Sequence, residues 1–308
     1  MGIAIVFPGQ GSHRAGVLEP WQGHAASGVL DEVSEGLGRD VLPLTEDPAT
    51  GARTADAQPA ILAVSLVVAR ALADAGVAPS VVAGHSLGEF TAAIHAGCLS
   101  VREGAALVAA RGAAMGAACR TNPGTMAAVV KLDPDAVEAL VDGIDDLVLA
   151  NDNAPGQVVV AGTPEAIEQV KDRARDAGGR ALPLDVEGAF HSPAMAPAVD
   201  AVAAAVQGLD VAAPRCTFVS GSTAAPVADA AAVSRALVDG ILAPVRWREV
   251  QVHLAALGVT DVIEAGPGGV LAGLAKRTIP DVAVHKVETP EDLEGALGAL
   301  GSDATTGG

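Results

Sequence analysis

Ser86 stands in Gly84-His85-Ser86-Leu87-Gly88, a GxSxG sequence whose small flanking residues let a chain reverse sharply at the serine. The β-branched run from Ser80 to Gly84 predicts a short strand, and Leu87 to Ala96 predicts a helix. A serine on the turn between them presents its hydroxyl above a sheet. The same turn sets the Leu87 N–H at a helix N-terminus, facing any oxyanion that develops. The chemistry this suits is nucleophilic attack on an acyl group. The competing reading is a Gly-rich turn with an incidental serine, and the strand-turn-helix context weighs against it.

A serine hydroxyl at its free pKa is a weak nucleophile, so a base has to lie within hydrogen-bond reach. Seven histidines are available. His13, His24, His253 and His285 occupy ordinary polar or strand contexts, and His95 lies further along the predicted Ser86 helix, pointing elsewhere. His85 adjoins Ser86, but a sharp turn sends neighbouring side chains in different directions, so it is expected to line the pocket. His191 sits in Gly188-Ala189-Phe190-His191-Ser192-Pro193, an irregular turn at a predicted domain junction, where sites are commonly built. No spacing rule selects a catalytic base, so local sequence leaves a structural histidine open at 191. Arg111 lies on the next predicted helix, and for an arginine on an Ala-rich helix the default is a solvated face.

These residues need a scaffold. Gly2 to Phe7 is a short apolar run stopped by Pro8 and Gly9, the pattern of a buried strand ending in a tight loop; Ala57 to Ala75 and Glu103 to Ala118 have helical spacing. After Pro123 the pattern changes: strand 125–130, helix 134–144, strands 147–151 and 157–161, helix 163–177, strand 180–186. That β-α-β-β-α-β order is a ferredoxin-like unit. Strand patterns resume at Cys216 to Val219, Val259 to Glu264 and Val282 to Val287, so the unit reads as an insertion. The expected division is a discontinuous α/β domain of 1–122 and 189–301, a ferredoxin-like subdomain of 123–188, and a disordered tail of 302–308.

Composition narrows the function further. The 308 residues are enough for a large domain carrying a smaller one. A formal net charge of −18 argues against nucleic acid or an anionic membrane as partner. Cys98, Cys119 and Cys216 are odd in number and widely spaced, which suits small core residues in a reducing compartment rather than a disulfide framework or a zinc site. The N-terminus lacks the layout of a signal peptide, and the most apolar stretch, Pro59 to Val68, falls short of the ~20 residues a membrane span needs. Cytoplasmic location is expected.

Several segments occur in order: Phe7-Pro8-Gly9-Gln10-Gly11-Ser12, GHSLGEF at 84–90, Arg111 in AARGAAM, NAPGQVVVAG at 153–162, GAFHSPAM at 188–195, PVRW at 244–247 and EAGPGGVL at 264–271. Together they resemble the malonyl-CoA:acyl carrier protein transacylase family, including stand-alone acyltransferases of polyketide pathways, over nearly the whole chain. The resemblance implies an α/β fold: an α/β-hydrolase-like large domain with a parallel sheet, plus the inserted ferredoxin-like subdomain. It implies a Ser86–His191 dyad that needs no Asp, and an oxyanion hole from the Gln10 and Leu87 amides. Arg111 would receive the free malonyl carboxylate, a task a planar, bidentate guanidinium does and a lysine does not reproduce. Phe190, His85 and Met115 would line the acyl pocket, with the Phe190 ring disfavouring a 2-methyl group by ~1 to 3 kcal/mol. A backbone carbonyl before PVRW, at Gly240 where the family usually has Gln, would orient His191.

The implied reaction is ping-pong transfer of malonyl from coenzyme A to the phosphopantetheine thiol of an acyl carrier protein, by a monomer with no bound cofactor. Arg246, Lys276 and Arg277 are candidates for docking an acidic carrier. Two alternatives stand beside this reading: an editing thioester hydrolase of the same superfamily, which has no need of a carboxylate clamp, and a non-catalytic carrier-docking module, which would need a degenerate Ser86 or His191. A lipase-type hydrolase is weaker, because no HGGG-type motif is present.

Overall fold

The computed structural model describes the backbone of residues 2–306 and the side chains of residues 2–301. Ten strands fall in two sheets: β1 (Ile3–Phe7), β2 (Val81–Gly84), β3 (Thr125–Val130), β4 (Leu147–Ala154), β5 (Gln157–Gly162), β6 (Arg180–Pro183), β7 (Thr217–Val219), β8 (Pro226–Val227), β9 (Asp261–Ala265) and β10 (Ala283–Val287).

The larger sheet has the order β10-β9-β1-β2-β7-β8, parallel except for the antiparallel edge strand β8. Its central strands are buried on both faces, which is why β1 and β2 read as unbroken apolar runs. The period-two alternation survives in their partners. Ile5, Phe7 and Val82 join the core beneath helices Thr54–Asp74, Gly88–His95 and Val101–Thr121, whereas Ala4, Val6, Val81 and Ala83 join a second cluster with helices Trp247–Ala256 and Val270–Thr278. From β1 the chain proceeds to β2 and β7 on one side, while β9 and β10 lie on the other. The loops after β1 and β9 therefore diverge, opening the crevice at which sheets of this kind place a site.

The smaller sheet is antiparallel with order β4-β5-β3-β6, covered by helices Pro134–Val141 and Pro164–Asp176 around its own core. This is the ferredoxin-like arrangement. Its strand β4 is stitched to the large sheet's side. Asp152 N–H donates to Val245 O at 2.8 Å, Val245 N–H donates to Ala150 O at 2.8 Å, and Arg248 donates to both Asp152 oxygens at 2.7–3.1 Å.

Three expectations change. The first long helix starts at Thr54, not Ala57, because Thr54 and Gln58, polar residues that blur the apolar period, are buried and hydrogen-bonded. That helix is long and apolar enough to cross a membrane by length and composition, but 83% of the qualifying stretch is buried inside the protein. The segment 302–308, expected to be disordered, is helical as far as Thr306 within Pro290–Thr306; Gly307 and Gly308 lie outside the described residues.

Two glycines control how closely β1, β2 and the following helix approach. A Cβ on Gly84 would lie 1.9 Å from the Gly88 carbonyl carbon, and one on Gly88 would lie 2.0 Å from the Phe7 carbonyl oxygen. Backbone cannot swing aside as a side chain does. Gly88→Ala is therefore expected to cost at least ~3 kcal/mol, the upper end for overpacking. Gly28→Ala, with nothing within 4 Å of the new carbon, should be nearly neutral. Urea melts of the two variants check this, and equal midpoints would show that the turn relaxes.

Candidate active site

The turn between β2 and helix Gly88–His95 holds Ser86 at φ 52°, a left-handed conformation that costs a non-glycine residue energy and points its side chain away from the sheet. Backbone bonds hold the turn: His85 N–H donates to Phe7 O at 3.0 Å, Gly88 N–H to His85 O at 3.0 Å, and Glu89 N–H to Ser86 O at 3.0 Å. Leu87 caps the helix and Gln10 opens a short 3-10 turn after β1, so the amides of both precede the first intrahelical bonds.

His191 is buried, also at positive φ (56°), in the loop that follows the ferredoxin-like unit. Its Nε2 accepts the Ser86 hydroxyl at 2.8 Å, and its Nδ1–H donates to the Ala243 carbonyl at 3.0 Å. A carbonyl only accepts, so the proton belongs on Nδ1 and the Nε2 lone pair faces Ser86. Burial, then the Arg111 charge, then His85 depress the imidazole pKa to about 3. At neutral pH the ring is a neutral acceptor.

The orienting carbonyl is a correction. It belongs to Ala243 rather than Gly240, whose carbonyl adds a smaller pull in the same direction. After helix Ala230–Asp239 the chain turns with Leu242 and Ala243 N–H both donating to Asp239 O, which carries position 243, not 240, up to the ring. Ala243 has no side-chain feature by which sequence could single it out.

Arg111 is not on a solvated face. It is 2% exposed, its guanidinium carbon lies 5.1 Å from the Phe90 ring centre, Nη1 donates to Gln58 Oε1 at 2.6 Å, and Nη2 donates to Ser86 Oγ at 3.1 Å. Its buried Nε has no hydrogen-bond partner among the described residues. Gln58 Nε2 in turn donates to Thr54 Oγ1 at 2.8 Å, and Thr54 Oγ1 donates to Gln10 Oε1 at 2.7 Å. A buried chain of hydrogen bonds thus runs from Ser86 through Arg111, Gln58 and Thr54 to Gln10. The sequence reading missed Gln58 and Thr54; their signal was two polar residues on the buried start of an otherwise apolar helix.

A cavity of about 220 Å³ opens onto this group and is lined by Gln10, His85, Ser86, Arg111, Met115, Phe190 and His191 among others. The His85 ring is committed to scaffolding: Nε2 pairs with Asn153 Oδ1 at 2.9 Å, and the ring meets Trp247 edge-on at 5.5 Å. Asn153 and Asn151 of β4 also line the cavity and were not singled out as site residues beforehand. Arg246, Lys276 and Arg277 lie outside it and are exposed. Arg246 is held by Glu249, and Arg277 donates to Gln157, whose side chain reaches the cavity wall.

A serine on a strand-helix elbow with a neutral histidine on its hydroxyl, at the end of a parallel sheet, is an arrangement suited to acyl transfer, and the family model described as "Acyl transferase domain" matches residues 5–291. The malonyl CoA-acyl carrier protein transacylase of Mycobacterium tuberculosis is 39% identical over 300 residues, covering 95% of this chain and 98% of that protein. The crystal structure of the acyl-carrier-protein S-malonyltransferase from Burkholderia pseudomallei superposes with a TM-score of 0.91 at 42% identity, covering 96% of this chain and 99% of that one. A malonyl-transacylase solved in complex with its type II PKS acyl-carrier protein matches with a TM-score of 0.92 at 34% identity, covering 97% and 100%. The chain belongs to the malonyl CoA-acyl carrier protein transacylase family.

The depressed imidazole pKa has a sign that can be checked. Because folded His191 resists protonation, acid favours the unfolded chain: its contribution to stability is full above pH 6.5 and falls as pH drops below it. Activity behaves differently. Between pH 7.5 and 5.5 an ordinary imidazole base would lose about tenfold in acylation rate. Single-turnover acylation of Ser86 should lose far less, and a fall following a pKa near 6.5 would show that the ring is not buried as described.

Proposed function

We propose that this chain moves malonyl from coenzyme A to the phosphopantetheine thiol of an acyl carrier protein by a ping-pong mechanism, with Ser86 as nucleophile and His191 as base. The observation that carries the malonyl assignment is the state of Arg111. Among the described residues the Nε of this buried guanidinium has no hydrogen-bond partner, and the neighbouring Nη2 donates to the Ser86 hydroxyl. An Nε–Nη2 edge is the donor pair that the two oxygens of a carboxylate take, and here it adjoins the Ser86 hydroxyl.

In the forward half-reaction His191 Nε2 takes the Ser86 proton as Oγ attacks the thioester carbonyl. The oxyanion is received by the Gln10 and Leu87 amides, each worth ~3 kcal/mol at comparable sites. Collapse breaks the C–S bond, and coenzyme A leaves as a thiol with the proton from His191. The carrier thiol then gives its proton to His191 as its sulfur attacks the Ser86 ester; the C–O bond breaks, His191 returns the proton to Ser86 Oγ, and the acyl group leaves on the carrier. The substrate carboxylate also assists. Arg111 is one of the charges that make the His191 imidazolium costly, and a carboxylate on Arg111 offsets that repulsion as the proton arrives.

An editing hydrolase is the second reading, and a buried cation beside the nucleophile disfavours it, because a simple acyl chain leaves that charge unpaired. The carrier partner is supported by the solved relative bound to its carrier protein. Malonyl loading of this kind feeds chain assembly of fatty-acid or polyketide type in the cytoplasm, by a monomer.

Incubation with malonyl-CoA is expected to add one malonyl mass to Ser86, read by intact-mass measurement, and Ser86→Ala should lose both adduct and transfer. Arg111→Ala should lower malonyl transfer by orders of magnitude, since breaking a buried pair costs ~3 to 5 kcal/mol, while acetyl transfer holds or improves. The ratio of the two specificity constants decides, and an unchanged ratio would place the clamp elsewhere. Reversing Arg246, Lys276 and Arg277 to Glu should raise KM for the carrier and leave self-acylation intact; equal effects on both half-reactions would remove them from the docking surface.

A further inference from the structure

We propose that Glu89 balances charge in this site: it takes a proton from solvent when a substrate carboxylate binds Arg111 and gives it back when the acyl group leaves. The inference rests on the reading of Arg111 as the carboxylate's partner.

Glu89 lies in the first turn of helix Gly88–His95, next to the Phe90 ring that carries the Arg111 guanidinium, and is 4% exposed. Its Oε1 accepts the Gly221 N–H at 3.1 Å, and Ser220 supplies a second polar contact. Its Oε2 faces Gly240, lying 3.5 Å from where a Cβ there would stand. Glu89 and Arg111 act on each other electrostatically, yet among the described residues they form no ion pair within 4 Å. Glu89 therefore leaves the Arg111 Nε without a partner among the described residues.

The surrounding groups leave little choice of counter-charge. The turn after β7 presents only Ser220 and Gly221, and the turn at 240 presents a glycine. Lining the cavity are His191, held neutral by burial, and His85, whose pKa is also lowered by burial. Glu187 is nearby in the network but accepts the Thr54 N–H at 2.6 Å. Among the described residues Arg111 is therefore the one permanent cation acting on Glu89, and Glu89 the one carboxylate acting on Arg111. A bound malonyl carboxylate makes two anions for one buried guanidinium, and such a pair sheds one charge by protonation. The carboxylate in direct contact with Arg111 keeps its charge. Glu89, whose carboxyl burial already raises to about 7, takes the proton.

This gives a signature that a merely structural glutamate would not show. Uptake should peak just above pH 7, vanish at lower pH where Glu89 is already protonated, and vanish at high pH where it stays ionised in both states. By reciprocity, affinity for malonyl-CoA should weaken by up to about tenfold per pH unit above that pKa, and affinity for acetyl-CoA should not.

The test is calorimetric titration of the full-length Ser86→Ala chain with malonyl-CoA and with acetyl-CoA, in buffers of different ionisation enthalpy, between pH 6 and 9. The expected result is an excess for malonyl-CoA of about half to one proton near neutrality, abolished by adding Glu89→Gln. Equal proton counts for the two thioesters at every pH would overturn the proposal, as would an excess that survives Glu89→Gln. If the Gln variant does not fold, the pH-dependent excess in the Ser86→Ala chain decides alone. Malonyl-CoA binding no tighter than acetyl-CoA overturns the Arg111 reading first, and this proposal with it, so the two failures are distinguishable.

Discussion

The contact on which the rest of the structure depends is the approach of Gly88 to the Phe7 carbonyl, closer than any Cβ would permit. It lets the helix after β2 start directly against the end of β1, so Ser86 is forced through a left-handed turn and its hydroxyl stands clear of the sheet. The loop after β1, with Gln10, lines the same cavity as Ser86. The proposed nucleophile is thus positioned by one backbone contact, and the glycines of the GxSxG sequence allow it.

Charge is the second organising constraint. Arg111, Glu89 and His191 are all buried near Ser86, and Arg111 links them: it pushes the imidazole down, and Glu89 and Arg111 favour one another's ionised forms. Burial lowers the Arg111 pKa only to about 10, so it remains a cation at neutrality. Neutral residues hold it in place. Gln58 takes one edge of the guanidinium and Thr54 passes the bond on to Gln10, which joins the anion-binding part of the site to the loop expected to stabilise the oxyanion.

The ferredoxin-like unit closes the cavity from above. Its strand β4 contributes Asn151 and Asn153, is bonded to the backbone at Val245, and is held by the Arg248–Asp152 pair. Val245 lies two residues past Ala243, whose carbonyl meets His191, so the seam joining the two sheets adjoins the element that orients the imidazole. His85 and Asn153 add a side-chain bond across the same seam, directly beside the nucleophile.

Much of this was legible in sequence because it is written in local patterns. Apolar runs bounded by Pro and Gly marked β1 and β2, the change of period after Pro123 marked the inserted antiparallel unit, and GHSLG at a strand-helix junction marked Ser86. Residue-type chemistry, helped by family resemblance, pointed to His191 and Arg111, although local spacing left the first open and favoured a solvated face for the second. What only the tertiary structure decided are relations between residues far apart in the chain. The Ser86–His191 bond spans 105 positions and the Arg111–Gln58 bond spans 53. Neither leaves a periodic trace. The choice of Ala243 over Gly240 is a matter of which peptide carbonyl a turn lifts toward a ring, and every residue has such a carbonyl. Likewise Glu89 becomes more than a helix-start acid only when folding buries it with Arg111 away from water, because the strength of that interaction is set by the surrounding dielectric, which no stretch of sequence specifies by itself.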